Sequence, residues 1–195
     1  MSIGLLRIIT LVFSLFFFST IFAQKPKLVL PVGHTSGVGS AIYSPNGKII
    51  VTISSDGTAK IWSSATGKLL HSLEGHTNNV GSANYSPDGK TIITASDDGT
   101  AKIWDSETGI LIHSLEGHNS WVNSATYSPD GKTIITASYK TAQIWDSETG
   151  KLLYSLGGRT SRLAYATYSP DGKTIAIALW YERIVKILNA NNGKL

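Results

Sequence analysis

The chain repeats itself, and the repeat limits what it can fold into more than any other feature. Residues 85–96 read YSPDGKTIITAS, and residues 127–138 are identical. IWDSETG occurs at 103–109 and again at 144–150. Diverged copies lie on both sides, YSPNGKIIVTIS from Tyr43 and YSPDGKTIAIAL from Tyr168. Equivalent tyrosines therefore stand at 43, 85, 127 and 168, a period of 42, 42 and 41 residues. A unit this short buries too little alone, so neighbouring units must stack to make a core.

Each unit reads as four strands. In the second copy, Val80 to Tyr85 alternates in character and suits a half-buried strand. Ser86-Pro87-Asp88-Gly89 is a turn, because Pro fixes φ, Asp can bond its own backbone and Gly accepts positive φ. Thr91 to Ser96 is a β-branched second strand, and Asp97-Asp98-Gly99 makes the next hairpin. Thr100 to Trp104 is a third strand, Asp105 to Gly109 a turn, and Ile110 to Leu115 a fourth strand. Four antiparallel strands at this period predict an all-β chain of β-propeller blades. The blades fall at about 33–74, 75–116, 117–157 and 158–195.

Composition narrows the class. At 195 residues, with 42% hydrophobic and 15% charged side chains, the chain suits one ordinary globular domain or part of one. The net charge of +4 is spread as single lysines in turns, which leaves no basic stripe for nucleic acid. Cysteine is absent, which excludes disulfides, thiolate metal sites, Cys nucleophiles and a lipidated N-terminal Cys.

The N-terminus predicts a compartment. Arg7 precedes the apolar run Ile8 to Phe22, and Ala23-Gln24-Lys25-Pro26-Lys27 follows. That order matches a secretory signal peptide over 1–23, cleaved after Ala23, and gives a secreted or periplasmic protein over 24–195. The alternative is an uncleaved anchor, the one route to a membrane, although the run is short for a span.

The ordered motifs carry a resemblance. Gly75-His76, the SPDG turn, Ser96 to Thr100 and Trp104-Asp105 resemble the WD-repeat β-propeller family. Gly33-His34 with Trp62, and Gly117-His118 with Trp145-Asp146, bracket them, and with the leader the chain looks like a secreted bacterial type. The resemblance implies a hydrogen-bonded His, Ser or Thr, Asp and Trp set in each blade. The matching positions are His34, Ser54, Asp56 and Trp62, then His76, Ser96, Asp98 and Trp104, then His118, Ser138 and Trp145. Thr52 and Thr94 stand two residues away on the same strand face and compete with the serines.

His, Ser and Asp also spell a hydrolase triad, but a triad is needed once and this set recurs around the ring. It reads as architecture, and no catalytic residue, cofactor or metal is expected. The five histidines are spread over different blades without ligand spacing, and turn chemistry accounts for the aspartates.

Departures from the repeat mark candidate recognition residues. The third copy has Tyr139-Lys140 in place of its Asp-bearing turn. The fourth has Gly158-Arg159 for Gly-His, Leu188 for Trp, and LWYER at 179–183 for the turn. Drift in a terminal blade explains these changes; so does a patch of Arg159, Arg162, Trp180 and Tyr181, since aromatic and Arg side chains anchor interfaces. Trp121 replaces Asn79 just before a first strand, and Asn79, Asp97, Asn123, Tyr139 and Arg162 should share its rim.

Blade counting leaves the ring open as a question. Residues 27–32 resemble a leading fourth strand, and the sequence stops at Gly193-Lys194-Leu195, where another would begin. An open arc, a small four-bladed ring and two chains pairing into eight blades all fit. The expected function is a non-enzymatic scaffold whose rim loops bind proteins or peptides outside the cytoplasm. The alternative is the sensor or regulatory part of a larger enzyme, a protease or kinase fusion, with its catalytic domain elsewhere.

Overall fold

The computed structural model describes residues 33–139, 141–157, 163–180 and 182–194. The proposed signal peptide, the leading strand 27–32, Lys140, Arg159, Arg162 and Tyr181 lie outside the described residues. The first blade is β1 (Val38–Tyr43), β2 (Ile49–Ser54), β3 (Ala59–Ser63) and β4 (Leu69–Leu73). The second is β5 (Val80–Tyr85), β6 (Thr91–Ser96), β7 (Ala101–Asp105) and β8 (Leu111–Leu115). The third is β9 (Val122–Tyr127), β10 (Thr133–Ser138), β11 (Thr141–Asp146) and β12 (Leu152–Gly157). The fourth has three strands among the described residues, β13 (Leu163–Tyr168), β14 (Thr174–Leu179) and β15 (Ile184–Asn189).

Every sheet is an antiparallel meander in chain order. The turns cause this. In the second blade, Ser86 Oγ donates to Asp88 Oδ1 at 2.7 Å, Asp88 accepts the Lys90 amide, and the Gly89 amide closes back on Ser86 O. Gly89 sits at φ +74°, a left-handed conformation that an L side chain resists. The first strands carry a bulge, with the register slipping between Val80 and Ser82 in β5. The extra residue bends the strand and adds twist.

The core lies between blades rather than within them. Val51, Ile53, Ala59, Ile61 and Leu73 of the first blade pack on Val80, Ala83, Ile92 and Trp104 of the second. Ile93, Ala95, Ala101, Ile103 and Leu115 meet Val122, Ala125, Ile134 and Trp145 in the same way. Ile135, Ala137, Ala142 and Ile144 meet Leu163, Ala166, Ile175 and Leu188 of the fourth blade. The second and third sheets therefore pack forward with one face and backward with the other, the stacking that a repeat unable to bury itself demands.

Side-chain hydroxyls clasp these junctions. Tyr127 Oη lies 2.9 Å from Thr91 Oγ1, and Tyr168 Oη lies 2.9 Å from Thr133 Oγ1. The SPDG turns stack as well: a Cβ on Gly89, Gly131 or Gly172 would stand 3.4, 3.5 or 3.6 Å from Cδ of Pro45, Pro87 or Pro129 in the preceding blade. The stack does not close. Val38 on β1 is 56% exposed and Ile187 on β15 is 52% exposed, so the two end faces stay open. The all-β propeller reading holds, as an arc and not as the small closed ring.

Candidate functional site

In the second blade, His76 enters from the loop before β5, Thr94 stands on β6, Asp98 in the β6–β7 turn and Trp104 on β7. Trp104 Nε1 donates to Thr94 Oγ1 at 2.8 Å, and Thr94 Oγ1 lies 2.8 Å from His76 Nε2. His76 Nδ1 lies 2.8 Å from Asp98 Oδ2. Asp98 also accepts from the Thr77 amide, the Thr100 amide and the Thr100 hydroxyl, at 3.1, 2.8 and 2.7 Å. The first blade repeats the set with His34, Thr52, Asp56 and Trp62: His34 to Asp56 is 2.9 Å, and Thr52 is 2.8 Å from both His34 and Trp62.

Proton positions follow from these partners. Burial by itself would raise the Asp98 carboxyl, but donors from Thr100, His76 and the Thr77 amide outweigh it and hold the group down at about 2. Asp56 is lowered in the same manner, its burial outweighed by Thr58, the Thr35 amide and His34. A carboxylate at Oδ2 needs a donor, so His76 carries its proton on Nδ1. Burial pushes the His76 imidazole below its ordinary value against the opposing pull of Asp98, so Nε2 is bare at neutral pH and accepts from Thr94. The relay runs Trp N–H to Thr oxygen, Thr O–H to His, His N–H to Asp. All of its polar groups are satisfied, which is what a buried network needs to stabilise a fold.

The structure brings together His, Asp and Trp as the sequence reading placed them, but joins them through threonine. Ser54 and Ser96 lie outside the relay. Ser96 Oγ donates to Asn78 O at 3.1 Å and accepts the Asp98 amide at 3.1 Å, and Ser54 does the same with Ser36 O and the Asp56 amide. The reason is position: the serine ends its strand, within reach of the neighbouring loop, whereas the threonine faces the indole. In the third blade Thr136 bridges His118 and Trp145 at 2.7 and 2.8 Å, while Ser138 reaches Thr141 at 3.4 Å. With no aspartate there, Thr141 Oγ1 faces His118 Nδ1 at 3.1 Å, and burial lowers the imidazole to about 4. In the fourth blade the set is replaced as a whole: Ile177, Leu179 and Leu188 stand at the Thr, Ser and Trp positions, buried against the third blade.

The network offers no nucleophile. Both nitrogens of His76 are engaged, and the hydroxyl beside it is the indole's acceptor. Among the described residues, no three His, Asp or Glu side chains converge as metal ligands.

The rim tells a different story. The register pairs Val80 with Ser96 and Val122 with Ser138, so the residues just outside each pair are neighbours at one end of the blade. In the second blade they are Asn79 and Asp97, joined by Asn79 Nδ2 to Asp97 Oδ2 at 3.0 Å. In the third they are Trp121, 59% exposed, and Tyr139, 38% exposed. Gly37 and Ser55 hold the position in the first blade, and Trp180, 66% exposed, follows β14 in the fourth. Asn123, expected on this rim, instead points between blades, with Nδ2 3.5 Å from Leu163 O. Threonine is the competing candidate beside Ser54 and Ser96 in the sequence; the Tyr–Thr clasps escaped the sequence reading, although they recur at the repeat period and could have been found by it.

Comparison with known proteins agrees with this geometry. The family model described as the IFT122 first beta-propeller matches residues 37–195. A 41-residue stretch is 49% identical to Retinoblastoma-binding-like protein E of Dictyostelium discoideum, covering 21% of this chain. The chain spans 8% of that protein's length, about one repeat's worth of sequence. A family match over most of the chain, on a stack of four-stranded blades with a His–Thr–Asp–Trp relay, makes this chain a member of the WD-repeat β-propeller family.

Proposed function

We propose that the chain is a non-enzymatic binding platform that displays an aromatic rim to a protein or peptide outside the cytoplasm. One observation carries this reading. At a single register position the side chains differ from blade to blade while the frame beneath them recurs, and at two blades they are exposed aromatics. Proteins of this family are generally interaction scaffolds, and exposed Trp and Tyr are the side chains that most often anchor interfaces. Trp121 and Trp180 make no hydrophobic core, so their exposure has no structural return. The Arg7-led apolar run Ile8 to Phe22, with Ala23 after it, supports the extracytoplasmic location.

A displayed random-peptide library selected on the intact protein tests the reading. Selected peptides should lose at least about tenfold in affinity to Trp121→Ala or Trp180→Ala, about 1.4 kcal/mol. Peptides that bind both variants as tightly as the parent would place recognition elsewhere. For location, the first residue of the protein recovered from its producing cells should be Gln24; an intact Met1 in a cytosolic fraction would reject it.

A further inference from the structure

Three junctions between successive blades follow one pattern, and both halves of a fourth junction are left open. At each internal junction a forward isoleucine is buried to within 1% (Ile61, Ile103, Ile144), and so, to within 3%, is the first apolar residue of the next blade's leading strand (Val80, Val122, Leu163). The equivalents at the ends are Ile187, 52% exposed, and Val38, 56% exposed. Val185 beside Ile187 is 61% exposed, where its counterparts Ala101 and Ala142 are fully buried.

The polar register markers of the junction are also present, one on each face. Two internal junctions carry a threonine at the start of the second strand bonded to the tyrosine ending the next first strand, Thr91 to Tyr127 and Thr133 to Tyr168. At the first junction Ile49 takes the threonine position opposite Tyr85; Thr174 is the next threonine in that series and Tyr43 the first of the equivalent tyrosines. Among the described residues neither side-chain hydroxyl has a partner, and Tyr43 is 66% exposed. The turn stack is completed in the same way. Pro170 is exposed and stands where Pro45, Pro87 and Pro129 each cover a glycine of the following blade. Of the four equivalent turn glycines, Gly47 is the one at which an added Cβ would meet nothing within 4 Å among the described residues.

We propose that a second copy of this chain occupies these faces, its first blade stacking on the fourth blade of its partner. The occupant is chosen by continuity: the missing half of each open face is present, in register, on the other end of the same chain. The two ends of one copy do not meet, since both faces are solvated. Two copies joined head to tail at both ends give eight blades, the upper end of the four to eight that propellers commonly use, and three copies would exceed it. The interface is separate from the aromatic rim, so it stands or falls independently of partner binding there.

The chain has no cysteine, which makes the test clean. Tyr43→Cys and Thr174→Cys are made singly in the full chain, mixed, and treated with a short bis-maleimide; solution mass is measured for the parent and for Ile187→Asp. The expected result is a parent of twice the chain mass, a covalent heterodimer only in the mixture, and a monomer for Ile187→Asp that still unfolds cooperatively. A parent of single mass overturns the proposal, whether a chain carrying both Tyr43→Cys and Thr174→Cys cross-links within itself (self-closure) or not at all (a free arc). A dimer that survives Ile187→Asp, or does not link position 43 to position 174, uses another face and overturns it too.

Discussion

The Trp104 indole nitrogen donates to Thr94 Oγ1 at 2.8 Å, and that hydroxyl is fully buried. Thr94 is therefore both acceptor for the indole and donor to His76. Thr94→Val keeps the shape and removes both roles, leaving two buried polar groups without partners at about 1–3 kcal/mol each. The expected loss is about 2–6 kcal/mol in urea unfolding, against about 1 kcal/mol for Ser96→Ala, which gives up only loop hydrogen bonds. Equal losses for the two variants would return the hub to the serine.

The two end blades and the hub show where sequence reading worked and where it stopped. The strand positions of the second repeat were legible to within a residue, because Pro-Asp-Gly and Asp-Gly turns punctuate β-branched runs. β7 starts at Ala101 rather than Thr100, since Thr100 gives its amide and hydroxyl to Asp98. Thr94 and Ser96 could not be ranked from sequence, because both point to the same strand face and the choice rests on which loop carbonyl lies within reach. Asn123 carried the same ambiguity: period and polarity put it on the rim, and only the packing of the fourth blade turns it inward. The openness of the first blade was illegible for a plainer reason. Val38 and Val80 stand in matching positions, and exposure depends on what stacks against them.

The third blade should be the acid-sensitive one. Among the described residues His118 has no carboxylate partner, and burial lowers it to about 4 from an ordinary 6.5. Its unfolded form binds the extra proton between those values, so its contribution is complete above about pH 6.5 and is lost as pH falls toward 4. The loss is about 3 kcal/mol. Asp98 acts later, because its stabilisation is complete above 3.8 and disappears toward about 2. Unfolding midpoints across pH 7 to 4 should flatten in His118→Gln, and an unchanged slope would remove His118 from the account.

The tyrosine clasp predicts opposite outcomes for two matching residues. Tyr127 Oη is paired with Thr91, whereas Ile49 stands at the threonine position for Tyr85, whose Oη is buried without a partner among the described residues. Burial pushes the phenols of both up to about 12. Tyr127→Phe should cost about 1 kcal/mol, because Thr91 is left with an unused hydroxyl. Tyr85→Phe removes only an unsatisfied group and should be neutral or stabilising in the same unfolding assay. A comparable loss at both positions would mean the clasp adds nothing.

The fourth blade's apolar substitutions should behave as one unit. Ile177 and Leu188 occupy the positions of Thr94 and Trp104, and both are buried in the junction with the third blade. Leu188→Trp alone overfills that junction and leaves an indole N–H without an acceptor, a loss of about 2–4 kcal/mol. Ile177→Thr alone buries a hydroxyl with no partner, at about 1–3 kcal/mol. Together they restore the indole-to-threonine bond that the other three blades make, so the double variant should be more stable than the sum of the single losses by about 1–2 kcal/mol. Additive losses in a double-mutant cycle would show that the two positions do not meet, and that the pair changed independently rather than as an exchange of one network for another.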